Sequence, residues 1–256
     1  MNKNEVFAHF SSILDNMLAH SLFFCTYFQQ PCGGENFYGS IDDEAMPDNL
    51  KIRFGATRGC IVDDDYDYVC KFDVEPDNMG SCCEREISIY SRAKEYNLNQ
   101  YFAEAKFLGT YVKTIQFYDY DKIERNIDWF GYNWEDFERD FLANEESFGD
   151  IHSITISIPL YGYPKAKPHL PSGTTNENEY IQKAQRIASP MRDSNLCVAI
   201  DFIREYGEEE YSRVTEFMYE ENINDLHFAN FGDVEGHYVA IDYSGYHDSY
   251  STDSDF

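Results

Sequence analysis

Apolar residues recur at helical spacing over residues 5–24. Val6, Phe10, Ile13, Leu14, Met17, Leu18 and Leu22 fall on one side, with His9, Asp15, Asn16 and His20 on the other. The spacing predicts an amphipathic helix that packs on the body of the protein or on a partner. A stretch rich in Gly, Pro, Asn and Asp at 29–49 reads as a loop. Residues 50–74 then change to short strand-like runs. The first ends at Phe54-Gly55-Ala56-Thr57-Arg58-Gly59, the second runs through Cys60-Ile61-Val62, and an acidic turn spans Asp63 to Asp67. The third, Tyr68 to Val74, alternates in character and puts Lys71 on the opposite face from Cys70 and Phe72.

Residues 82–98 return to helical periodicity, with Glu86 on the face of Ile89, Tyr90 and Ala93, and Glu84 about 200° away around the helix. Two further strands are expected at 106–118 and 151–160. In the second of these Ile154, Ile156, Ile158 and Leu160 alternate with Thr155, Ser157 and Pro159. Between them lies an acidic, aromatic insertion, 119–150, containing Trp129 and Trp134, which suits a partner-binding surface. Residues 161–171, with Pro164, Pro168 and Pro171, read as a connector. A short helix is expected within 177–190, and others follow at 194–206 with Gly207 as a stop and at 208–221, where Tyr211, Val214, Phe217 and Met218 share a face. A strand pair turning at Asp233–Gly236 ends at Asp242, and 246–256 reads as a disordered acidic tail.

Composition narrows the classes. The chain has 256 residues, 43% hydrophobic and 17% aromatic, enough for a substantial core and unlike a disordered acidic segment. Its net charge of −27 argues against direct nucleic-acid or anionic membrane binding, because no basic stripe offsets it. A basic protein partner suits that charge. The seven cysteines are odd in number and contain no Cys-x-x-Cys pair, and no signal peptide precedes them, which points to a reducing cytoplasm. No apolar run approaches the roughly 20 residues that cross a bilayer.

The chemistry concentrates in Asn222–Gly245. Asp225 and Asn230 stand in Asp-Leu-His-Phe-Ala-Asn, and the following strand pair delivers Asp242. Oxygen-bearing side chains of this kind suit magnesium, which takes hard oxygen ligands and shares them with substrate phosphates. Upstream, Gly55 and Gly59 flank a strand turn where backbone N–H groups can approach phosphate, with Arg58 as a forked donor between them. Taken in order, these pieces resemble the protein-kinase-like fold, and the Asp-Leu-His form is closer to aminoglycoside and choline kinases.

That resemblance implies an α+β, two-lobed architecture. Residues 1–49 would form an N-terminal helix and loop. Residues 50–160 would form an N-lobe built on a five-stranded antiparallel sheet, and 161–245 a hinge and small helical C-lobe carrying the catalytic-loop hairpin. Lys71 would bind the phosphates of ATP, held by Glu86 or, as a second candidate, Glu84. Gly55, Arg58 and Gly59 would line the phosphates, Asn230 and Asp242 would coordinate Mg2+, and Asp225 would orient or deprotonate a hydroxyl acceptor. Lys71 and Asp242 would converge on one crevice between the lobes. The chain departs from the family pattern at Ile223-Asn224 before the aspartate and at His227 after it. It departs again at Tyr243-Ser244-Gly245, where the glycine falls one place late. Little chain follows to build an activation segment, so a minimal kinase, a small-molecule kinase and a nucleotide-binding pseudokinase are all compatible with the pattern. The rival class is an acidic interaction or decoy protein without catalysis. A metal site made of His227, His237 and His247 matches no usual ligand spacing, and no glycine-flanked Ser or Cys suggests a nucleophile.

Overall fold

The computed structural model describes residues 2–19, 47–54, 58–73, 81–116, 153–169, 177–224 and 226–245. Gly55, Asp225, the 119–150 insertion and the 246–256 tail lie outside them. The fold is α+β, and the chain divides into two compact units: Met1–Pro76 with Phe107–Gly162, and Asp77–Lys106 with Tyr163–Phe256.

The first unit is built on a five-stranded antiparallel sheet. Its strands are β1 (Leu50–Phe54), β2 (Arg58–Asp63), β3 (Tyr68–Asp73), β4 (Lys106–Gln116) and β5 (Ser153–Pro164), in the order β1-β2-β3-β5-β4. The β2–β3 register pairs Arg58 with Asp73, Gly59 with Phe72, and Cys60 with Lys71. Burial alternates along both strands, so Ile61, Cys70 and Phe72 enter the core while Cys60 and Lys71 share the other face. Helix α1 (Lys3–Ala19) covers the core face with Val6, Phe10, Ile13 and Leu14. The predicted amphipathic helix therefore packs on the sheet of its own unit. Its polar side is tied down as well. His9 Nε2 lies 3.1 Å from Asp63 Oδ2, its ring stacks on Tyr66 at 3.9 Å, and Tyr111 donates its hydroxyl to Asp15 at 2.9 Å.

The second unit gathers α2 (Cys82–Glu95), α3 (Glu177–Arg186), α4 (Pro190–Ser194), α5 (Leu196–Glu220) and the hairpin β6 (Phe231–Val234) and β7 (His237–Ala240). Ser81 caps α2 by accepting from the Glu84 N–H at 3.0 Å, and Asn195 caps α5 by accepting from that of Cys197 at 2.9 Å. The two helices expected on either side of Gly207 run on as one span, broken at that glycine by φ 89°, ψ 170°, a conformation essentially reserved for glycine. The short helix expected within 177–190 is α3, and Pro190 opens the next one, α4. Ile89 and Ala93 of α2 share a core with Phe202, Tyr211, Val214 and Phe217 of α5 and with Tyr238 of the hairpin.

One boundary differs from the sequence reading. The connector expected from residue 161 begins later, because β5 continues to Pro164 with Tyr161 and Tyr163 buried. Beyond it, Lys167 and Asp233 exchange backbone hydrogen bonds at 2.8 Å, which lays the connector against β6. Alternating apolar spacing stops at Leu160, but the aromatic side chains after it still find buried surroundings.

Candidate functional site

The hairpin sets the geometry of the candidate metal ligands. Glu235 (φ 52°) and Gly236 (φ 85°) occupy the left-handed region, which suits the right-handed twist of a tight β-turn. Before β6 the chain makes a 3₁₀ turn, Phe228–Asn230. It is capped at the start by His227 Nδ1, which accepts from the Ala229 N–H at 3.3 Å. Asn230 is 7% exposed. Its carbonyl accepts from the N–H groups of Ile241 at 2.8 Å and Asp242 at 3.4 Å. The two predicted magnesium ligands, twelve residues apart, are thus brought together by backbone contact at the open end of the hairpin.

A second tie holds the far side of Asp242. The next residue, Tyr243, donates its N–H to Glu86 Oε1 at 2.8 Å, and its hydroxyl to the Ala103 carbonyl at 2.7 Å. Glu86 is fully buried on the inward face of α2, beside Ile89 and Ala93, whereas Glu84 is exposed. Its other oxygen, Oε2, accepts from the Tyr163 hydroxyl at 2.6 Å. Burial first of all, with the neighbouring Glu86 carboxylate adding to it, pushes the Tyr163 phenol well above its ordinary pKa. It therefore stays protonated and serves as a donor to the carboxylate.

The loop around position 225 is anchored on both flanks by one hydroxyl. Ser194 at the end of α4 donates to the Asn224 carbonyl at 2.8 Å and accepts from the Leu226 N–H at 3.3 Å. Gly245 (φ 72°) folds back against this loop; a Cβ there would stand 3.1 Å from the Asn222 carbonyl oxygen and 3.0 Å from Asn224 Oδ1. The displaced glycine of Tyr243-Ser244-Gly245 therefore has a local structural reason. Tyr163, Ser194 and Tyr243 escaped the sequence reading, since each acts through partners distant in sequence and belongs to no spaced motif.

In the first unit, Arg58, Cys60, Lys71 and Asp73 share the sheet face opposite the core, with Cys60 directly across from Lys71 and Asp73 across from Arg58. Gly59 points the other way. Its Cβ, if present, would lie 2.3 Å from Phe72 Cζ, so the buried Phe72 ring occupies the space that a side chain would need. Packing accounts for this glycine without any ligand. Lys71 and Arg58 belong to the first unit, and Glu86, Asn230 and Asp242 to the second.

The backbone contact brings an asparagine and an aspartate to the same end of the hairpin, residue types whose oxygens suit magnesium, which usually keeps several waters and needs only one or two protein carboxylates. Among the described residues no group of three or more His, Cys, Asp or Glu side chains could hold a metal ion, and no helix is long and apolar enough to cross a membrane. The sequence matches no protein-family model, and no curated protein is significantly similar to it.

Proposed function

We propose that the chain is a kinase-like protein that binds ATP with magnesium and transfers the γ-phosphoryl group to a hydroxyl acceptor. The observation that carries this reading is the Asn230–Asp242 pair. Asp242 is held on one side by the Asn230 carbonyl and on the other by Glu86 through Tyr243. A metal ligand has to be rigid before the ion arrives, and a buried clamp of this sort supplies that rigidity. Further support comes from a five-stranded sheet whose third strand carries Lys71, followed by a helix whose one buried carboxylate is Glu86.

In this reading Asn230 and Asp242 would hold magnesium, which neutralises charge on the phosphates. Lys71 and Arg58 would contact phosphate oxygens, and Asp225 would accept the proton of the acceptor hydroxyl. Catalysis is then positioning and charge neutralisation without a covalent intermediate. The −27 charge opposes an anionic nucleotide, so these cations and the metal must overcome it locally. A cytoplasmic setting suits the cysteines, of which Cys70, Cys82 and Cys197 are free thiols.

Thermal unfolding with and without Mg·ATP tests the proposal. Nucleotide at about 100 times its Kd stabilises the native state by about 2.7 kcal/mol, and Asp242→Asn and Lys71→Met should each abolish the shift. A wild-type protein whose melting temperature ignores millimolar Mg·ATP would favour the acidic interaction protein instead. Transfer of labelled phosphate to an acceptor then separates kinase from pseudokinase.

A further inference from the structure

Resting on the magnesium–nucleotide reading, the geometry points to Tyr163 as a positioning residue for the metal ligand Asp242, acting through Glu86. Two donors converge on the Glu86 carboxylate. Tyr163 Oη donates to Glu86 Oε2 at 2.6 Å, Glu86 Oε1 accepts from the Tyr243 N–H at 2.8 Å, and Tyr243 follows Asp242 in the chain. On the other side Asn230 accepts from Ile241 and Asp242. The backbone of 241–243 is therefore gripped from both ends.

Glu86 has two carboxylate oxygens, and in a fully buried place each orients the other. A carboxylate held at one oxygen only can turn about its terminal torsion, which is broad in energy. Held at both, it presents Oε1 at a fixed point, and the Tyr243 amide must come to it. Tyr163 is suited to that task because it is rigid, about 1% exposed and kept protonated. The strand that carries it, β5, continues past the end of its apolar alternation and delivers Tyr163 to Glu86. The Tyr243 hydroxyl adds a third restraint by donating to the carbonyl of Ala103, whose own N–H donates to the Ala240 carbonyl at 2.8 Å. The hydrogen-bonded loop thus closes on the strand that leads to Asp242.

Tyr163→Phe removes one oxygen and keeps the ring. The test compares it with wild type and with Tyr206→Phe, which also loses a tyrosine hydroxyl bond, here 2.7 Å to the neutral Tyr238 carbonyl. Two quantities are read in each protein: the magnesium concentration giving half of the ATP-dependent melting shift, and amide hydrogen exchange at 241–243 without nucleotide. Tyr163→Phe should raise the magnesium requirement by about tenfold, the scale of one lost buried hydrogen bond to a charged group. It should also speed exchange at Tyr243, while Tyr206→Phe changes neither. If wild type responds to Mg·ATP and Tyr163→Phe needs no more magnesium, or if Tyr206→Phe shifts the requirement equally, the positioning role is overturned and the nucleotide reading stands. Unchanged exchange at Tyr243 overturns the clamp whatever the nucleotide does. A wild-type protein blind to Mg·ATP overturns both.

Discussion

Replacing Gly59 by alanine asks whether that glycine exists for a ligand or for the core. The new Cβ would stand 2.3, 2.5 and 2.9 Å from three atoms at the tip of the Phe72 ring. Carbon atoms rest about 3.5–4.0 Å apart, so the ring must retreat by about 1 Å or more. Phe72 is 2% exposed and packed among Ile61, Leu108 and Leu160, so it has nowhere open to go. Overpacking of this kind costs about 1–3 kcal/mol. At roughly 2–4 °C per kcal/mol for a chain of this size, the melting midpoint should fall by roughly 2–12 °C. The sign is informative, because alanine for glycine in unstrained backbone with free space stabilises by about 0.4–1 kcal/mol.

Calorimetry or circular dichroism on Gly59→Ala, Phe72→Leu and the double variant completes the cycle. The alanine methyl should partly fill the space that Phe72→Leu vacates, giving a coupling of about 0.5–3 kcal/mol. A Gly59→Ala protein as stable as wild type, or strictly additive costs in the double variant, would refute the packing explanation. Unchanged stability combined with a lost Mg·ATP shift would return Gly59 to the phosphate site.

Two further outcomes are expected. Gly207→Ala should destabilise by about 1–3 kcal/mol in urea unfolding, although a Cβ there meets nothing within 4 Å, because φ 89° with ψ 170° is strained for any side chain. The Glu210 carboxyl should titrate below the usual glutamate value, first because the Tyr101 hydroxyl donates to it at 2.6 Å and then because Arg213 pairs with it. Its folded-state pKa is depressed, so its contribution to stability is present above the unfolded value of about 4.3 and is lost as pH falls through the folded value. Carbon-detected NMR titration should show that value rising in Tyr101→Phe; no movement would remove the hydroxyl as its main cause.

Local periodicity carried the sequence reading a long way. The 3.6-residue spacing that groups Glu86 with Ile89 and Ala93 distinguishes it from Glu84, and in the structure Glu86 is buried while Glu84 is exposed. Strand alternation put Lys71 across the sheet from Cys70 and Phe72, and Gly207 marks the break in the long helix. The turn at Asp233–Gly236 was equally plain, since a positive φ is cheap at glycine. Each of these depends on residues within one or two turns of one another, and their cost or gain is paid locally.

The chain by itself determined which faces turn inward, where helices stop and which oxygen-bearing side chains stand near a hairpin. Only the tertiary structure decided what those faces meet. Tyr163 reaches Glu86 across 77 residues and Glu86 reaches the Tyr243 amide across 157. Gly59 owes its missing side chain to a phenylalanine on the neighbouring strand. The physical reason is that burial is a property of a face and can be read from its period, whereas a hydrogen bond or a ring contact belongs to a pair. Which pairs form is settled by strand order, register and the closing of long loops.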